Sequence, residues 1–313
     1  MTKKLKYILI PSVLIALLGG LYYFLWNPVN NSNPRVLGLS VNNFYANKNI
    51  DIADIPQKKE GVSDPNILSD AVVLLENKTK YPLYAKNEHN PVAIASITKV
   101  MTYLVARDNF KTDETVSVSN EATVITGSKI NLKDGEVISV ESLLEGLLIS
   151  SGNDAAYALA YHMGSLENFV DKMNQKAISL GMNDSHFVDP AGLDDGGRSS
   201  AFDVAILFSY ALNDEMFENI VNTSEKEIFS QDGDISHDLK NSNRLVTGEI
   251  PLDGVIGGKT GFTFDAGHTL VCAARRNDHT LVSVVLKTSV NTKTASAYES
   301  QKLLNWGFDS FSF

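Results

Sequence analysis

Residues 94–102 read IASITKVMT, and this short stretch carries both a helix pattern and a pair of side chains that suggest chemistry. From here, apolar side chains recur at the three- and four-residue spacing of one helix face, at Ile97, Val100, Met101, Leu104 and Val105. The spacing predicts a helix that begins near Ser96. Because residues three apart share a helix face, we expect Ser96 and Lys99 to project from the same side.

Strand patterns lie on both sides of this helix, towards the two ends of the chain. Residues 71–75 and 81–85 are typical of strands joined by a turn at 77–79. Residues 267–274 and 280–287 are largely apolar and flank an Arg-Asn-Asp turn, which indicates a hairpin.

Helix patterns dominate the region between these strands. A serine at position 139 is placed to cap a helix over 139–148. Further helices are predicted over 155–162, 166–180 and 200–212, and another over 294–306 closes the chain. Strands at both ends with helices between them predict an α/β protein of the α+β type. Its antiparallel sheet is built from both ends of the domain, is flanked by helices, and carries a mostly helical inserted subdomain.

The beginning of the chain predicts a membrane anchor. Three lysines precede an uncharged run of twenty residues at 7–26, which spans about 30 Å as a helix, the thickness of a hydrocarbon core. Lysines mark the cytoplasmic side, so residues 1–6 are a predicted cytoplasmic tail and the rest is expected outside the cytoplasm. A cleaved signal peptide is the alternative. The length of the run, and the lack of a small-x-small site directly after Trp26, favour an uncleaved single-pass transmembrane helix.

The next segment, residues 27–65, differs in composition from the rest. It is rich in Asn and is interrupted by prolines at positions 28, 34, 56 and 65. This composition predicts a spacer between the membrane and a folded domain at 66–313.

The bulk composition excludes several kinds of partner and site. With a formal charge of −10 and a pI near 5.1, the chain lacks the basic surface that a phosphate backbone requires, so no nucleic acid is expected. Cys272 is the only cysteine, so no intrachain disulfide can form, and its apolar neighbours predict a buried, unreactive thiol. The six His residues show no metal-ligand spacing, and we expect neither a metal nor another cofactor.

Three short motifs carry the candidate chemistry: Ser-Ile-Thr-Lys at 96–99, Ser-Gly-Asn at 151–153 and Lys-Thr-Gly at 259–261. Ser-x-Asn is weak alone, because it also occurs at 40–42 and 289–291. The order and separation of all three motifs, each in a fitting local pattern, make the signal strong.

The first motif pairs a nucleophile with a base. A serine hydroxyl attacks poorly until a base takes its proton, and Lys99 can be that base only when it is neutral. Lowering a lysine pKa from about 10.4 to near 7 requires about 4 kcal/mol of destabilisation of the ammonium. Burial would supply part of this, and the charge of Lys259 would add to it. The alternative is that Ser96 caps a helix and Lys99 is solvated, but the other two motifs favour catalysis.

With these motifs, the sequence resembles the D-alanyl-D-alanine carboxypeptidase family of low-molecular-mass penicillin-binding proteins, serine peptidases related to class A β-lactamases. The resemblance runs from about Ser69 to Phe308. The stretches that carry it are IASITKVMT, LLEGLLISSGNDAAYALA (143–160), HFVDPAGLDD (186–195), NSNRLV (241–246) and GGKTGFTFDAGHTLV (257–271). It implies a β-lactamase/transpeptidase-like fold.

The resemblance implies roles for the first two motifs. Ser96 would attack the carbonyl between two D-alanines to form an acyl-enzyme, with Lys99 as proton acceptor. Ser151 would relay a proton to the leaving amine. Asn153 would hydrogen-bond the substrate amide or hold Lys99.

The third motif is implied to bind substrate. Lys259 and Thr260 would hold the terminal carboxylate, and Gly261 would let the substrate backbone approach the strand. The backbone N–H groups of Ser96 and Phe262 would form the oxyanion hole. The implied partners are peptidoglycan stem peptides ending in D-Ala-D-Ala and β-lactam antibiotics. The lipid bilayer, contacted through residues 7–26, is expected from the N-terminal apolar run instead.

Two departures from the family leave the reaction open between a carboxypeptidase and a D,D-endopeptidase that cleaves peptidoglycan cross-links. Many members continue into a C-terminal β-rich domain, whereas this sequence stops at Phe313, and single-domain members often act as endopeptidases. The family also tends to place an Arg before the last helix, whereas residues 289–297 contain only Lys293.

Two further functions compete with these. A β-lactamase would carry a Glu-x-x-Leu-Asn loop, but residues 215–219 read EMFEN and have a helical pattern. A non-catalytic, membrane-tethered wall-binding protein would have no need of a lysine beside Ser96. The turn at 189–195 is predicted to be structural, and His162 and His268 are predicted not to be catalytic.

Overall fold

The computed structural model describes residues 55–288 and 292–313. The predicted cytoplasmic tail at 1–6, the predicted anchor at 7–26 and residues 27–54 of the predicted spacer lie outside the described residues. Within the described part of the chain, no helix combines the length and the apolar character needed to cross a membrane.

The described part of the chain contains thirteen strands and eight α-helices. The strands are β1 (Gln57–Lys58), β2 (Ala71–Glu76), β3 (Pro82–Lys86), β4 (Val92–Ala93), β5 (Thr115–Ser117), β6 (Val137–Ser139), β7 (Arg198–Ser199), β8 (Glu225–Phe229), β9 (Ser236–Lys240), β10 (Val255–Thr263), β11 (Gly267–Arg276), β12 (His279–Thr288) and β13 (Phe311–Ser312). The helices are α1 (Lys99–Asn109), α2 (Asn120–Thr123), α3 (Val140–Leu148), α4 (Asn153–His162), α5 (Leu166–Ser179), α6 (Ala201–Ala211), α7 (Glu215–Val221) and α8 (Ala295–Ser310).

The centre of the domain is a five-stranded antiparallel sheet with the strand order β10-β11-β12-β2-β3. Strands from the two ends of the domain meet where β12 pairs with β2, in the register Val284↔Val73. This confirms the predicted antiparallel sheet built from both ends, with helices α1 to α7 inserted between its two halves. Strand β10, which carries the Lys-Thr-Gly motif, lies at one edge of the sheet.

Helices cover both faces of the sheet, which explains why its strands read as continuous apolar runs rather than as alternating ones. All six residues of β2 are buried. Val73 belongs to an apolar cluster with Leu207 of α6, whereas Leu74 belongs to a second cluster with Leu303 of α8. Each such side chain contributes about 1.5–3 kcal/mol when fully buried, so the sheet is stabilised from both sides.

The predicted helices form, and their serine caps explain where two of them start. Ser139 accepts a hydrogen bond from the backbone N–H of Ser142 at 3.1 Å, and Ser200 accepts one from Asp203 at 3.2 Å. The helix expected near Ser96 differs in detail. It opens with a 3₁₀ turn, Ala95–Thr98, and the α-helix proper begins at Lys99.

The hairpin of β8 and β9 was missed by sequence reasoning. Only Ile228 is buried in β8, and only His237 and Leu239 are buried in β9. Because so few of its positions face apolar surroundings, the hairpin leaves almost no hydrophobic period in the sequence.

The described end of the predicted spacer is part of the domain. Strand β1 pairs with β13, with Gln57 opposite Ser312, and the indole N–H of Trp306 donates to the carbonyl of Ser63 at 2.9 Å. Residues 57–63 therefore belong to the folded domain rather than to a spacer, because the end of α8 and β13 supply them with backbone partners.

Candidate active site

The 3₁₀ turn presents Ser96 beside the side chain of Lys99. The Nζ of Lys99 lies 2.9 Å from the Oγ of Ser96. Ile94 and Thr98 occupy the N-cap positions of the turn and of α1, and neither forms a side-chain cap. The Ser96 hydroxyl is therefore not used as a helix cap, and its hydrogen-bond partner is the lysine one turn later.

The backbone just before Ser96 is held in an unusual conformation. Ala95 has a φ of +49°, in the left-handed region that non-glycine residues rarely adopt. Such a conformation persists where the surroundings hold it in place. Gly192 packs directly on this turn, because a Cβ atom at its position would collide with the carbonyl oxygen of Ala95.

Lys99 lies in an environment that favours its neutral form. Its side chain is fully buried, at 0% exposure, and this burial lowers the pKa of its ammonium well below the usual range. The positive charge of Lys259 lowers this pKa further, whereas the carboxylates of Asp189 and Asp154 raise it. A neutral amine 2.9 Å from a serine hydroxyl can accept its proton.

A turn at 189–194 fixes a second partner of Lys99. The Nζ donates to the carbonyl of Ala191 at 2.7 Å. The Asp189 carboxylate accepts four backbone hydrogen bonds at 2.6–3.0 Å, from Ala191, Gly192, Leu193 and Asp194. Asp189 thus forms the structural turn that the sequence predicts. The contact of this turn with Lys99 was not predicted.

The second motif lies at the start of α4 and meets the third. Ser151 has a φ of +59°, and its Oγ lies 3.0 Å from the Nζ of Lys259. Asn153 is 2% exposed and donates through Nδ2 to the carbonyl of Thr126 at 2.7 Å. Its Oδ1 is buried without a hydrogen-bond partner among the described residues. That oxygen is therefore available as an acceptor.

The third motif lies on the edge strand β10. Lys259 is 2% exposed, and burial lowers its pKa to about 7. Its Nζ also donates to the carbonyl of Thr260 at 3.1 Å. The Thr260 hydroxyl lies 2.6 Å from that of Ser242, a residue of the loop after β9. A lysine and two hydroxyls beside a strand edge are groups that can bind a carboxylate.

Gly261 brings β10 close to the turn that carries Ser96. A Cβ atom at this position would lie 2.8 Å from the carbonyl oxygen of Ile94 and 3.1 Å from the Cβ of Ala95. The next residue, Phe262, is half exposed, and its ring lies 4.6 Å from that of His268. The glycine therefore permits close approach of the turn that carries Ser96, in addition to the approach of substrate expected from the sequence.

Hydrogen bonds join two pairs of predicted residues, Ser96 with Lys99 and Ser151 with Lys259, and join Thr260 to Ser242, which was not predicted. Sequence reasoning missed Ser242 and Ala191, although both lie in stretches that carry the family resemblance.

Other candidate groups are occupied or inert. His162 pairs with Glu114 at 2.8 Å, and burial raises the pKa of Cys272 to about 12. In the described segments, no group of three or more His, Cys, Asp or Glu side chains could hold a metal ion.

The chain is similar to known proteins over the region that contains these motifs. The family model described as D-alanyl-D-alanine carboxypeptidase matches residues 58–290. D-alanyl-D-alanine carboxypeptidase DacF of Bacillus subtilis is 34% identical over 263 residues, which cover 81% of this chain and 66% of that relative. This chain thus spans about two thirds of the length of that curated relative.

Solved structures are similar over nearly their whole length. A D-alanyl-D-alanine carboxypeptidase from Mycobacterium tuberculosis has a TM-score of 0.74 at 31% identity, with 82% of this chain and 96% of that chain covered. The DD-transpeptidase of Streptomyces K15 has a TM-score of 0.73 at 29% identity, with coverage of 79% and 100%. The fold is therefore of the penicillin-binding, transpeptidase-like type.

Proposed function

This chain belongs to the D-alanyl-D-alanine carboxypeptidase family, and we propose that it removes the terminal D-alanine from peptidoglycan stem peptides through an acyl-enzyme at Ser96. The observation that carries the proposal is the Lys99 amine, fully buried and 2.9 Å from the Ser96 hydroxyl. A solvated surface lysine would keep its proton. A buried lysine beside a serine favours the neutral amine, which is the form that a general base requires.

Acylation follows from this pair. Neutral Lys99 takes the proton of Ser96 as Oγ attacks the carbonyl carbon between the two D-alanines. The backbone N–H groups of Ser96 and Phe262 stabilise the oxyanion, and each such donor is typically worth about 2.7–4 kcal/mol. Ser151, 3.0 Å from Lys259, relays to the leaving D-alanine amine the proton that Lys99 took from Ser96, so both side chains return to their starting protonation states. Water then hydrolyses the ester at Ser96, releasing the shortened peptide.

The substrate lies along the free edge of β10. An extended peptide can bind such an edge through main-chain hydrogen bonds, as an added strand. Its terminal carboxylate is bound by Lys259 and by the Thr260 hydroxyl. Asn153 hydrogen-bonds the substrate amide or holds Lys99, and its Oδ1 has no hydrogen-bond partner among the described residues.

Ser242 orients the Thr260 hydroxyl for this carboxylate, since the two oxygens lie 2.6 Å apart. A Ser242→Ala variant is expected to raise KM for a D-Ala-D-Ala peptide about fivefold with little change in kcat, the effect of one lost hydrogen bond in substrate binding. Ser242→Thr keeps the hydroxyl and serves as the matched control. Steady-state kinetics would argue against this role if the threonine variant behaved like the alanine variant.

A D,D-endopeptidase is the alternative reaction of the same site. It is favoured by the replacement of the arginine that the family tends to place before the last helix, because residues 289–297 offer only Lys293. A single ammonium cannot grip a carboxylate in the bidentate manner of a guanidinium. A site with a weaker hold on the terminal carboxylate is less restricted to peptide ends.

The experiment that tests the proposal compares two peptidoglycan substrates with the detergent-solubilised full chain. We expect D-alanine to be released from a pentapeptide stem faster than cross-linked dimers are cleaved, with both activities absent from Ser96→Ala. Faster cleavage of dimers assigns the endopeptidase reaction instead. Activity on neither substrate would overturn both assignments.

The location follows from the substrate and from the N-terminal sequence. Peptidoglycan lies outside the cytoplasm, and the uncharged run at 7–26 is long enough for a transmembrane anchor. We therefore infer a single-pass membrane protein whose catalytic domain faces the cell wall.

A further inference from the structure

A buried pair, His237 and Glu136, lies behind the second motif. Their side chains are 3% and 0% exposed, and Nε2 of His237 is 2.7 Å from Oε1 of Glu136. The other ring nitrogen, Nδ1, lies 2.9 Å from the carbonyl oxygen of Ile130. A carbonyl can only accept a hydrogen bond, so Nδ1 must carry a hydrogen.

One additional proton is therefore required between Nε2 and the carboxylate. The second carboxylate oxygen, Oε2, already accepts the backbone N–H of Lys133 at 2.9 Å. Without a proton between Nε2 and Oε1, the lone pair of Nε2 would face the carboxylate directly. A hydrogen bond left unmade between buried groups destabilises the folded state. The contact holds only while His237 and Glu136 share this proton.

The pair fixes the segment 126–136, and this segment positions the second motif. Asp154 accepts the backbone N–H groups of residues 130, 131 and 132 at 2.8–3.1 Å. Asn153 donates to the carbonyl of Thr126 and, through its backbone N–H, to that of Ser128, both at 2.7 Å. The segment is thus bonded to the two residues that open α4.

The hairpin of β8 and β9 reinforces this arrangement from the other side. His237 lies on β9, and at the end of the same strand the backbone N–H of Lys240 donates to the Ser150 hydroxyl at 2.8 Å. Ser151 follows directly, in the left-handed conformation that needs support from its surroundings. Strand β9 therefore supports the Ser151–Asn153 turn in two ways, directly through Ser150 and indirectly through the segment 126–136.

We propose that His237 and Glu136 are positioning residues for the Ser151–Asn153 turn, and that their shared proton makes the acylation of Ser96 depend on pH through the geometry of this turn. The inference rests on the function proposed above, because it concerns the same site.

The direction of the dependence follows from the charges around the ring. The hydrogen bond with Glu136 raises the pKa of His237 above its usual range, and the negative charge of Asp154 acts in the same direction against desolvation. The unfolded ring titrates at about pH 6.5. The stabilising contact is therefore complete below that pH and is lost as the pH rises through the higher pKa of the folded state.

A Glu136→Gln variant inverts this dependence. The new amide nitrogen can donate to the lone pair of neutral His237, while the amide oxygen still accepts the N–H of Lys133. The contact then needs no shared proton at high pH. At low pH, protonation of His237 would set two N–H groups against each other.

The test measures the second-order rate of acylation by benzylpenicillin for the full-length variant and the full-length wild type from pH 5.5 to pH 9. Their ratio at each pH cancels the titration of Lys99 and Lys259, which both proteins share. We expect the ratio of variant to wild type to rise at least about threefold across this range. Hydrogen exchange of the segment 126–136, compared at equal pH, should show protection shifting in the same direction.

Asp184→Asn is the matched control. Asp184 forms a similar pair with His89 at 2.8 Å, but the imidazole of His89 is 43% exposed and not buried. Its ratio to wild type should be flat with pH. A flat ratio for Glu136→Gln, with acylation intact, overturns the positioning role and leaves the proposed function standing. If no protein is acylated, the proposed function fails instead, and hydrogen exchange alone decides whether the shared proton fixes the segment.

Discussion

A Ser96→Ala variant is expected to form no covalent adduct with penicillin, while the wild type gains the mass of one penicillin molecule per chain. The reason is that the Ser96 Oγ lies 2.9 Å from a buried lysine amine. Removing the nucleophile should lower the acylation rate by at least about 10³-fold, which brings the adduct below detection. Intact-mass measurement of the full chain, before and after incubation with penicillin, gives the result directly.

Ser151→Ala is the informative comparison for this experiment. Its hydroxyl also contacts a lysine, at 3.0 Å, but we assign it to proton relay. This variant should still form the adduct, more slowly than the wild type. An adduct that survives Ser96→Ala and disappears in Ser151→Ala would contradict the assignment of the nucleophile.

The wild-type adduct is also expected to persist rather than to turn over. A β-lactamase needs a glutamate placed to activate the hydrolytic water, and residues 215–219 lack the Glu-x-x-Leu-Asn pattern of such a loop. They lie in α7, and both oxygens of Glu218 are bound by the guanidinium of Arg275, at 2.8 and 2.9 Å. Rapid catalytic hydrolysis of penicillin by the purified chain would overturn this expectation.

Replacing Lys99 with methionine should separate catalysis from folding. Methionine has a similar length and no charge, so the variant should fold, but it lacks the amine that we propose as the base for Ser96. We expect the acylation rate to fall about 10²–10⁴-fold, the range of a general base. The rate of penicilloyl-enzyme formation, followed by mass spectrometry, provides the measurement.

The same substitution should stabilise the protein at neutral pH. An unfolded lysine holds its proton up to about pH 10.4, whereas the folded Lys99 releases it at lower pH because its pKa is lowered by burial. The unfolded state thus binds more protons, and wild-type stability rises with pH across this window. Urea unfolding should therefore show an advantage of Lys99→Met that shrinks between pH 7 and pH 9.5.

Lys99→Arg is the control for both effects. It keeps a cation that cannot act as a base, so it should be inactive and less stable than the wild type. If Lys99→Met instead proves less stable than the wild type at pH 7, the burial cost of the ammonium is not what lowers its pKa.

The fold was predictable where its signals are local. The runs at 71–75 and 280–287 are largely apolar because helices cover both faces of the sheet, and such runs indicate buried strands. The serine caps at 139 and 200 are equally local. The β8–β9 hairpin was not predictable, because its stability comes from contacts with distant segments and not from its own apolar pattern.

The N-terminal boundary shows the same limit. Residues 57–58 have neither strand propensity nor apolar character, and they form a strand only because β13 lies beside them. Their partners are separated from them by more than two hundred residues, as the bond from Lys59 N–H to the Ser310 carbonyl shows, at 2.9 Å. Short-range patterns hold no information on such a contact.

For the site, the sequence by itself determined the three motifs and the pairing of Ser96 with Lys99. These two residues are three apart, so the local helical turn by itself brings them together. The tertiary structure decided the rest. It buries Lys99 against the Ala191 carbonyl, 92 residues away, and joins Lys259 to Ser151 across 108 residues. Spacing can place two groups on one face of a helix, but a lysine pKa depends on desolvation and on neighbouring charges, and only packing supplies those.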